Sequence, residues 1–282
     1  MQLTERKAMR RRQVEKIVRA ATLAATLALA TSPAAAQGAK PLTKCAPDAV
    51  VSGTVCMDKF EASVWRVPIP LGANKGLVKK IRQGKATIAD LAKGGATQLG
   101  VASDDYAPCV DSGQNCLNDV YAVSLSGVTP SSRITWFQAL AACENAAKRL
   151  PSNAEWQAAV TGTPDPGPDD GVSDCNAGNT FAVALTGSRA SCVSTRGAFD
   201  MVGNLQEWVA DWVPRSTTCG AWSAGLSPTG DQQCLAGAAT TGEPGALLRG
   251  GGFFSGNAGP LAVAGAGTPA VAESGTGFRC AR

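Results

Sequence analysis

FDMVGNLQEWVADW, residues 199–212, concentrates more structural information than any other part of the chain. Large aromatic anchors (Phe199, Trp208 and Trp212), two acids seven apart (Asp200 and Glu207) and a turn glycine (Gly203) share this short stretch. Leu205, Trp208, Val209 and Trp212 fall at i, i+3, i+4 and i+7, the spacing of an apolar stripe turned toward a core. The same residues admit a second use. Asp200 and Glu207, with a glycine between them, could wrap one hard cation through two side chains and carbonyls freed at the turn. Both uses stay open at this point.

Upstream, residues 1–19 are rich in Arg and Lys, residues 20–30 form the short apolar run AATLAATLALA, and Ala34, Ala35 and Ala36 precede Gln37. This pattern is expected to be a secretory signal peptide over residues 1–36, too short and too weakly apolar for a stable membrane span. No cysteine stands at the cleavage position, so no lipid anchor is indicated. The leader holds seven of the 26 basic and two of the 22 acidic residues, which leaves 19 basic against 20 acidic. The apparent basicity therefore belongs to the leader and gives no ground for a nucleic-acid partner.

All ten cysteines follow the expected cleavage point. An even count in an exported chain argues for disulfides in an oxidising compartment, periplasmic or extracellular. Pairing is not legible from sequence in general. Four pairs suggest themselves by closeness: Cys45–Cys56, Cys109–Cys116, Cys175–Cys192 and Cys219–Cys234. That leaves Cys143 with Cys280. A zinc site is a poor alternative, since there is no C-x-x-C pair and no histidine anywhere. The missing histidine also excludes Ser–His–Asp and Cys–His catalysis and the two-His iron triad. Any enzyme chemistry must run on carboxylates, cysteines or bound cofactors.

Residues 37–55 suggest a short arm stapled by Cys45. Residues 57–65, MDKFEASVW, alternate as one half-buried strand would. Residues 66–108 suggest an insertion or surface excursion with one helix over 88–93; its lysines (Lys75, Lys79, Lys80, Lys85, Lys93) fit a solvated face. Thr135 followed by Gln138 fits a capping box opening a helix within 132–147, with Cys143 near its buried side. Lys148 and Arg149 are placed to complement the dipole at the end of that helix, and Pro151 to stop it. Ser152 with Glu155 makes a second capping box for a helix through about Val160. Residues 162–171, GTPDPGPDDG, suit a plain loop better than a calcium loop built on Asp165, Asp169 and Asp170. RGGGFF (249–254) lacks the Lys-Ser/Thr of a phosphate-binding loop.

Four segments, in order, resemble the sulfatase-modifying-factor domain, the family of the formylglycine-generating enzyme. They are MDKFEAS (57–63), ITWFQALAACENAAKRLPSNAEW (134–156), FDMVGNLQEWVADW (199–212), and LLRGGGFF (247–254) with GFRCAR (277–282). The resemblance implies a single domain over residues 56–282. Its fold would be α+β and C-type-lectin-like, loop-rich and disulfide-stapled, with a twisted antiparallel sheet and two main helices. It also implies the Cys143–Cys280 bridge, and calcium held by the side chains of Asp200 and Glu207 and the carbonyls of Gly203 and Leu205. A second family calcium site begins at a position matching Asn176, but the stretch that completes it is not recognisable, so no second ion is expected. The family's two catalytic cysteines, which work with copper, correspond here to Ser255 and about Pro260. Neither can ligate copper(I) as a thiolate does, so no copper is expected.

Two functions follow from these observations. One is a non-catalytic or divergent scaffold, a monomer, whose loops bind a protein, peptide or glycan in a groove near Arg249, Phe254, Ser255 and Asn257, with Trp136 and Trp222 as further contacts. The other is a periplasmic oxidoreductase of altered chemistry, similar to superfamily members that act in siderophore maturation. Formylglycine generation is not expected.

Overall fold

A computed structural model of the chain describes residues 42–68, 74–116, 119–165, 169–178 and 181–282. The expected leader and the first residues of the arm lie outside the described residues. Three sheets organise the fold. A hairpin pairs β1 (Ala49–Ser52) with β2 (Val55–Asp58). A three-stranded antiparallel sheet runs β4 (Thr97–Leu99), β3 (Ala62–Arg66), β5 (Val120–Ser124). The main sheet has the order β11 (Thr276–Phe278), β6 (Gln206–Val213), β9 (Gly245–Arg249), β10 (Val263–Ala264), β8 (Gln232–Ala236), β7 (Thr218–Ala221). It is mixed: β11 runs parallel to β6 and β10 parallel to β8, while the remaining pairs are antiparallel.

Four helices are present among the described residues: α1 (Lys75–Arg82), α2 (Ile88–Lys93), α3 (Trp136–Asn145) and α4 (Asn153–Ala159). Local chemistry starts the two that flank the main sheet. In α3 the Thr135 hydroxyl accepts from Gln138 N and the Gln138 side chain accepts from Thr135 N; Ser152 and Glu155 do the same for α4. Loss of such a cap costs about 1 kcal/mol. Cys143 is buried on α3 as its position suggested. The helix stops well before Pro151, because Ala147 takes a left-handed φ of 57°.

That early turn redirects Lys148. It does not sit at a helix end facing solvent. It is buried, with Nζ 2.8 Å from Asp48 and 2.7 Å from Asp58. Two buried carboxylates outweigh a helix dipole, which is worth only about 0.3–1 kcal/mol. Arg149 instead forks onto Glu155.

MDKFEASVW is two strands, not one. The chain bends over residues 59–61, where the Glu61 carboxylate turns inward to accept from Leu205 N at 3.0 Å and Asn204 Nδ2 at 2.5 Å. Beyond the bend, β3 is buried on both faces. Ala62 and Val64 join the cluster with Ile134, Trp208 and Phe278, whereas Trp65 and Val67 join a cluster with Tyr121 and Val123. The latter cluster is closed by Leu77, Ile81 and Leu91 from α1 and α2, so residues 75–93 bring their own buried face. Their lysines point to solvent, and Lys80 pairs with Asp90.

From Trp208 to Trp212 the stripe belongs to strand β6 rather than to a helix, and Leu205 directly precedes that strand. Trp208 and Val209 are adjacent and both buried because the sheet is covered on both sides: Trp208 faces the cluster under β3, and Val209 faces a second cluster with Trp156 and Met201. The pairing with β9 slips between Trp208 and Trp212. Trp212 is left 43 % exposed, packed edge-on against Trp136 and Phe137.

Five disulfides lock these layers: Cys45–Cys56, Cys109–Cys116, Cys143–Cys280, Cys175–Cys192 and Cys219–Cys234. No cysteine is free.

Candidate functional site

Around the turn before β6, Glu207 pairs directly with the Arg279 guanidinium, and the buried carboxyls of Asp200 and Glu61 lie within reach of its charge. Gly203 has φ +72°, and a Cβ there would strike the carbonyl oxygen of Asn176, so the turn demands glycine. Asp200 and Asn204 also take left-handed backbone, at 55° and 54°. Arg279, directly after β11, is 0 % exposed. Its Nε lies 2.9 and 2.8 Å from the two oxygens of Glu207, and its terminal nitrogens donate to Glu207 at 2.6 Å and to the carbonyls of Asp58 and Phe199. Trp156 Nε1 donates to Glu207 at 2.7 Å.

This arrangement does not fit the implied calcium cage. Glu207 already receives three N–H donors, two from Arg279 with the Nε–H shared between both oxygens and one from Trp156. Asp200 turns an oxygen to Gly187 N at 2.6 Å. Among the described residues no three acidic or sulfur groups converge as metal ligands. The cation that meets Glu207 in this arrangement is Arg279.

One guanidinium cannot neutralise three buried acids, and protons make up the difference. Burial pushes the Asp200 carboxyl up to about 6. Burial, with the charges of Asp200 and Glu207, holds Glu61 well above the usual carboxylate range. Asp200 therefore keeps a proton when folded that the unfolded chain releases near pH 4. Its contribution to stability is full below about pH 4 and is lost as pH rises through about 6, a difference of about 3 kcal/mol. Glu61 acts in the same direction. The melting temperature of wild type should fall more steeply between about pH 4 and 6 than that of Asp200→Asn, whose amide has no charge to bury. Equal slopes in the two proteins would count against this assignment.

A cavity of about 460 Å³ extends across the main sheet from β6 to β7. Phe254, Ser255 and Asn257 line it together with Gln206, Gln232 and Glu273, over an apolar base of Leu248 and Ala264. The Cys219–Cys234 disulfide also lines it. The Ser255 hydroxyl accepts from Gly252 N, which fixes the loop after β9. The Cys219–Cys234 pair is expected from sequence as a bridge but not as part of a groove, and Gln206, Gln232 and Glu273 carry no local motif that would place them here.

Other expected site residues lie elsewhere. Arg249 is only 3 % exposed and does not reach the cavity. Its guanidinium stacks 4.6 Å from the Trp156 ring, donates to the carbonyls of Leu261 and Ala262, and bonds Gln157. Burial pushes its pKa down to about 10. It braces the core and is no groove residue. Pro260 turns its carbonyl to Gln157 and Arg249, away from Ser255's cavity. Trp136 and Trp222 spend their indole N–H groups on the carbonyls of Val209 and Leu261, so both act as packing. In the loop 162–171, of which residues 166–168 lie outside the described residues, the acids diverge. Asp170 caps residues 172–174, Asp165 accepts from Thr229, and Asp169 faces Arg189.

The family model of the sulfatase-modifying factor enzyme 1-like domain matches residues 97–282. No curated protein sequence matches the chain. Among solved structures, the Major Tropism Determinant I1 variant superposes with a TM-score of 0.38 at 19 % identity, over 58 % of this chain and 45 % of that one. CarF gives a TM-score of 0.36 at 17 % identity, over 55 % and 67 %. Treponema denticola variable protein 1 gives 0.31 at 19 % identity, over 54 % and 70 %. The chain thus spans less than half the length of the Major Tropism Determinant. The fold class is α+β and C-type-lectin-like.

Proposed function

The chain belongs to the family of the sulfatase-modifying factor enzyme 1-like domain, and from this we propose that it is an exported member that binds a protein, peptide or glycan ligand without generating formylglycine. The observation that carries this is the cavity at Phe254, Ser255 and Asn257: of the two positions implied for the catalytic cysteines, Ser255 lines it and Pro260 does not. With every cysteine bridged, no thiolate pair stands ready to bind copper. The cavity keeps what a binding site needs: amide and hydroxyl groups that donate and accept, an exposed aromatic ring at Phe254, and a preformed shape. Five disulfides support an oxidising compartment, and no described helix is long and apolar enough to cross a membrane.

Peptide and glycan arrays test this. Wild-type protein should select a ligand set, and Asn257→Ala and Phe254→Ala should each weaken binding by about tenfold, the value of one hydrogen-bonded or stacked contact. Binding unchanged in both variants would move the ligand away from this cavity. Aldehyde formation on a cysteine peptide supplied with copper and oxygen would overturn the non-catalytic part. The competing reading, an oxidoreductase of altered chemistry, is favoured by one observation only: the sulfur pair on the cavity wall.

A further inference from the structure

We propose that Cys219–Cys234 is a thiol–disulfide exchange site whose substrate is a cysteine-bearing peptide in extended conformation. The five disulfides are not alike. Cys109–Cys116, Cys143–Cys280 and Cys175–Cys192 are buried at both ends, and Cys45–Cys56 is half-buried at one end and buried at the other. Cys219 alone is exposed, while its partner Cys234 is 1 % exposed. Exchange requires that asymmetry: one sulfur open to attack and the other placed to leave.

Three further features fit the reaction. Gln232 Nε2 donates to Cys234 Sγ at 3.2 Å, a bond that strengthens as negative charge develops on that sulfur. Both cysteines line the cavity, so an incoming thiol has room to approach the exposed one, Cys219. Cys219 also sits on β7, the terminal strand of the main sheet, whose four residues are all exposed. An edge strand offers unpaired backbone groups to an extended peptide, which can pair there and bring its own cysteine to Cys219.

In the forward step the peptide thiolate attacks Cys219 Sγ. A peptide–Cys219 disulfide forms, the Cys219–Cys234 bond breaks, and its electron pair leaves on Cys234 as a thiolate that takes a proton from solvent. A second thiol of the peptide then attacks the peptide sulfur and releases Cys219. The dithiol is oxidised to a disulfide, and Cys219 and Cys234 are reduced to two thiols. Regeneration is the same exchange run in reverse against a second, more oxidising disulfide as electron acceptor.

The test uses the full oxidised protein and reduced glutathione, with acid quenching, alkylation and mass-spectrometric mapping. The expected first product carries glutathione on Cys219 and a free thiol on Cys234. It should form about tenfold faster than any other disulfide opens. Gln232→Leu should slow this step several-fold without moving the melting temperature, a split that a purely structural role would not produce. A reduced two-cysteine peptide should be converted to its disulfide, one per protein molecule. Opening of all five disulfides together, glutathione found on Cys234, or a peptide left unoxidised would each overturn the proposal. None of these outcomes depends on the cavity ligand, so this inference and the binding function can fail separately.

Discussion

Arg279→Met loses about 3–5 kcal/mol of folding stability, because removing one partner of a buried ion pair leaves the other charge uncompensated. The loss is large here for a geometric reason. Arg279 satisfies Glu207 through two nitrogens and also ties down the carbonyls of Asp58 and Phe199. One substitution therefore leaves the Glu207 charge with only the Trp156 N–H and takes a donor from three backbone carbonyls, those of Asp58, Phe199 and Asp200. It also removes a guanidinium whose charge opposes Glu61 and Asp200 together. Arg279→Lys should recover only part of the loss, since a point charge cannot form the fork. The double variant Arg279→Met with Glu207→Gln should recover more, because the stranded charge is gone. Urea denaturation reads all three. A chelator provides the contrast: with Arg279 as the cation, EDTA should leave the wild-type melting temperature unchanged. A chelator-induced drop would restore a metal ion to Asp200 and Glu207.

Replacing Cys143 and Cys280 together by Ala has the second large effect, about 4–5 kcal/mol. The two cysteines are 137 residues apart, and releasing a loop that long returns the most entropy to the unfolded chain. Both side chains are 0 % exposed and pack with Ile134, Leu150 and Phe278, so the small Ala side chains also leave a void. Each kilocalorie shifts the melting temperature by about 2–4 °C in a domain of this size, giving a drop of about 10–20 °C. The Cys109–Cys116 double variant, with seven residues of separation, should lose less. Similar losses from the two pairs would show that loop length is not what governs stability here.

Local signals in the chain proved legible, and of the long-range ones only the Cys143–Cys280 bridge did, through cysteine arithmetic and the family resemblance. Both capping boxes and the helix Ile88–Lys93 rest on residues three or four apart, and each element formed where those residues stand. The strand at 206–213 was harder to place. A strand covered on both faces has no period-two pattern, and the apolar residues it does carry happened to match a helical spacing. Lys148 was misplaced because its partners lie 90 and 100 residues away, at Asp58 and Asp48. The same distance problem concealed Arg279 as the partner of Glu207 and Arg249 as a brace on Trp156. The cavity was half visible: Phe254, Ser255 and Asn257 came from one segment, while Gln206, Gln232, Cys219 and Glu273 join them only through the sheet order.

Residues 276–282 reach almost every layer of the molecule. They add β11 to the main sheet, supply Arg279, close the bridge to Cys143, and pair with backbone at Cys56 and Arg149. A ribosome makes these residues after all the groups they engage, so synthesis from the amino end cannot deliver a finished domain in stages. Until that segment emerges, Glu207 has no counter-charge and Cys143 has only wrong thiols to meet. A premature stop codon upstream of residue 276 would therefore yield a clearance substrate for proteases rather than a partly working protein.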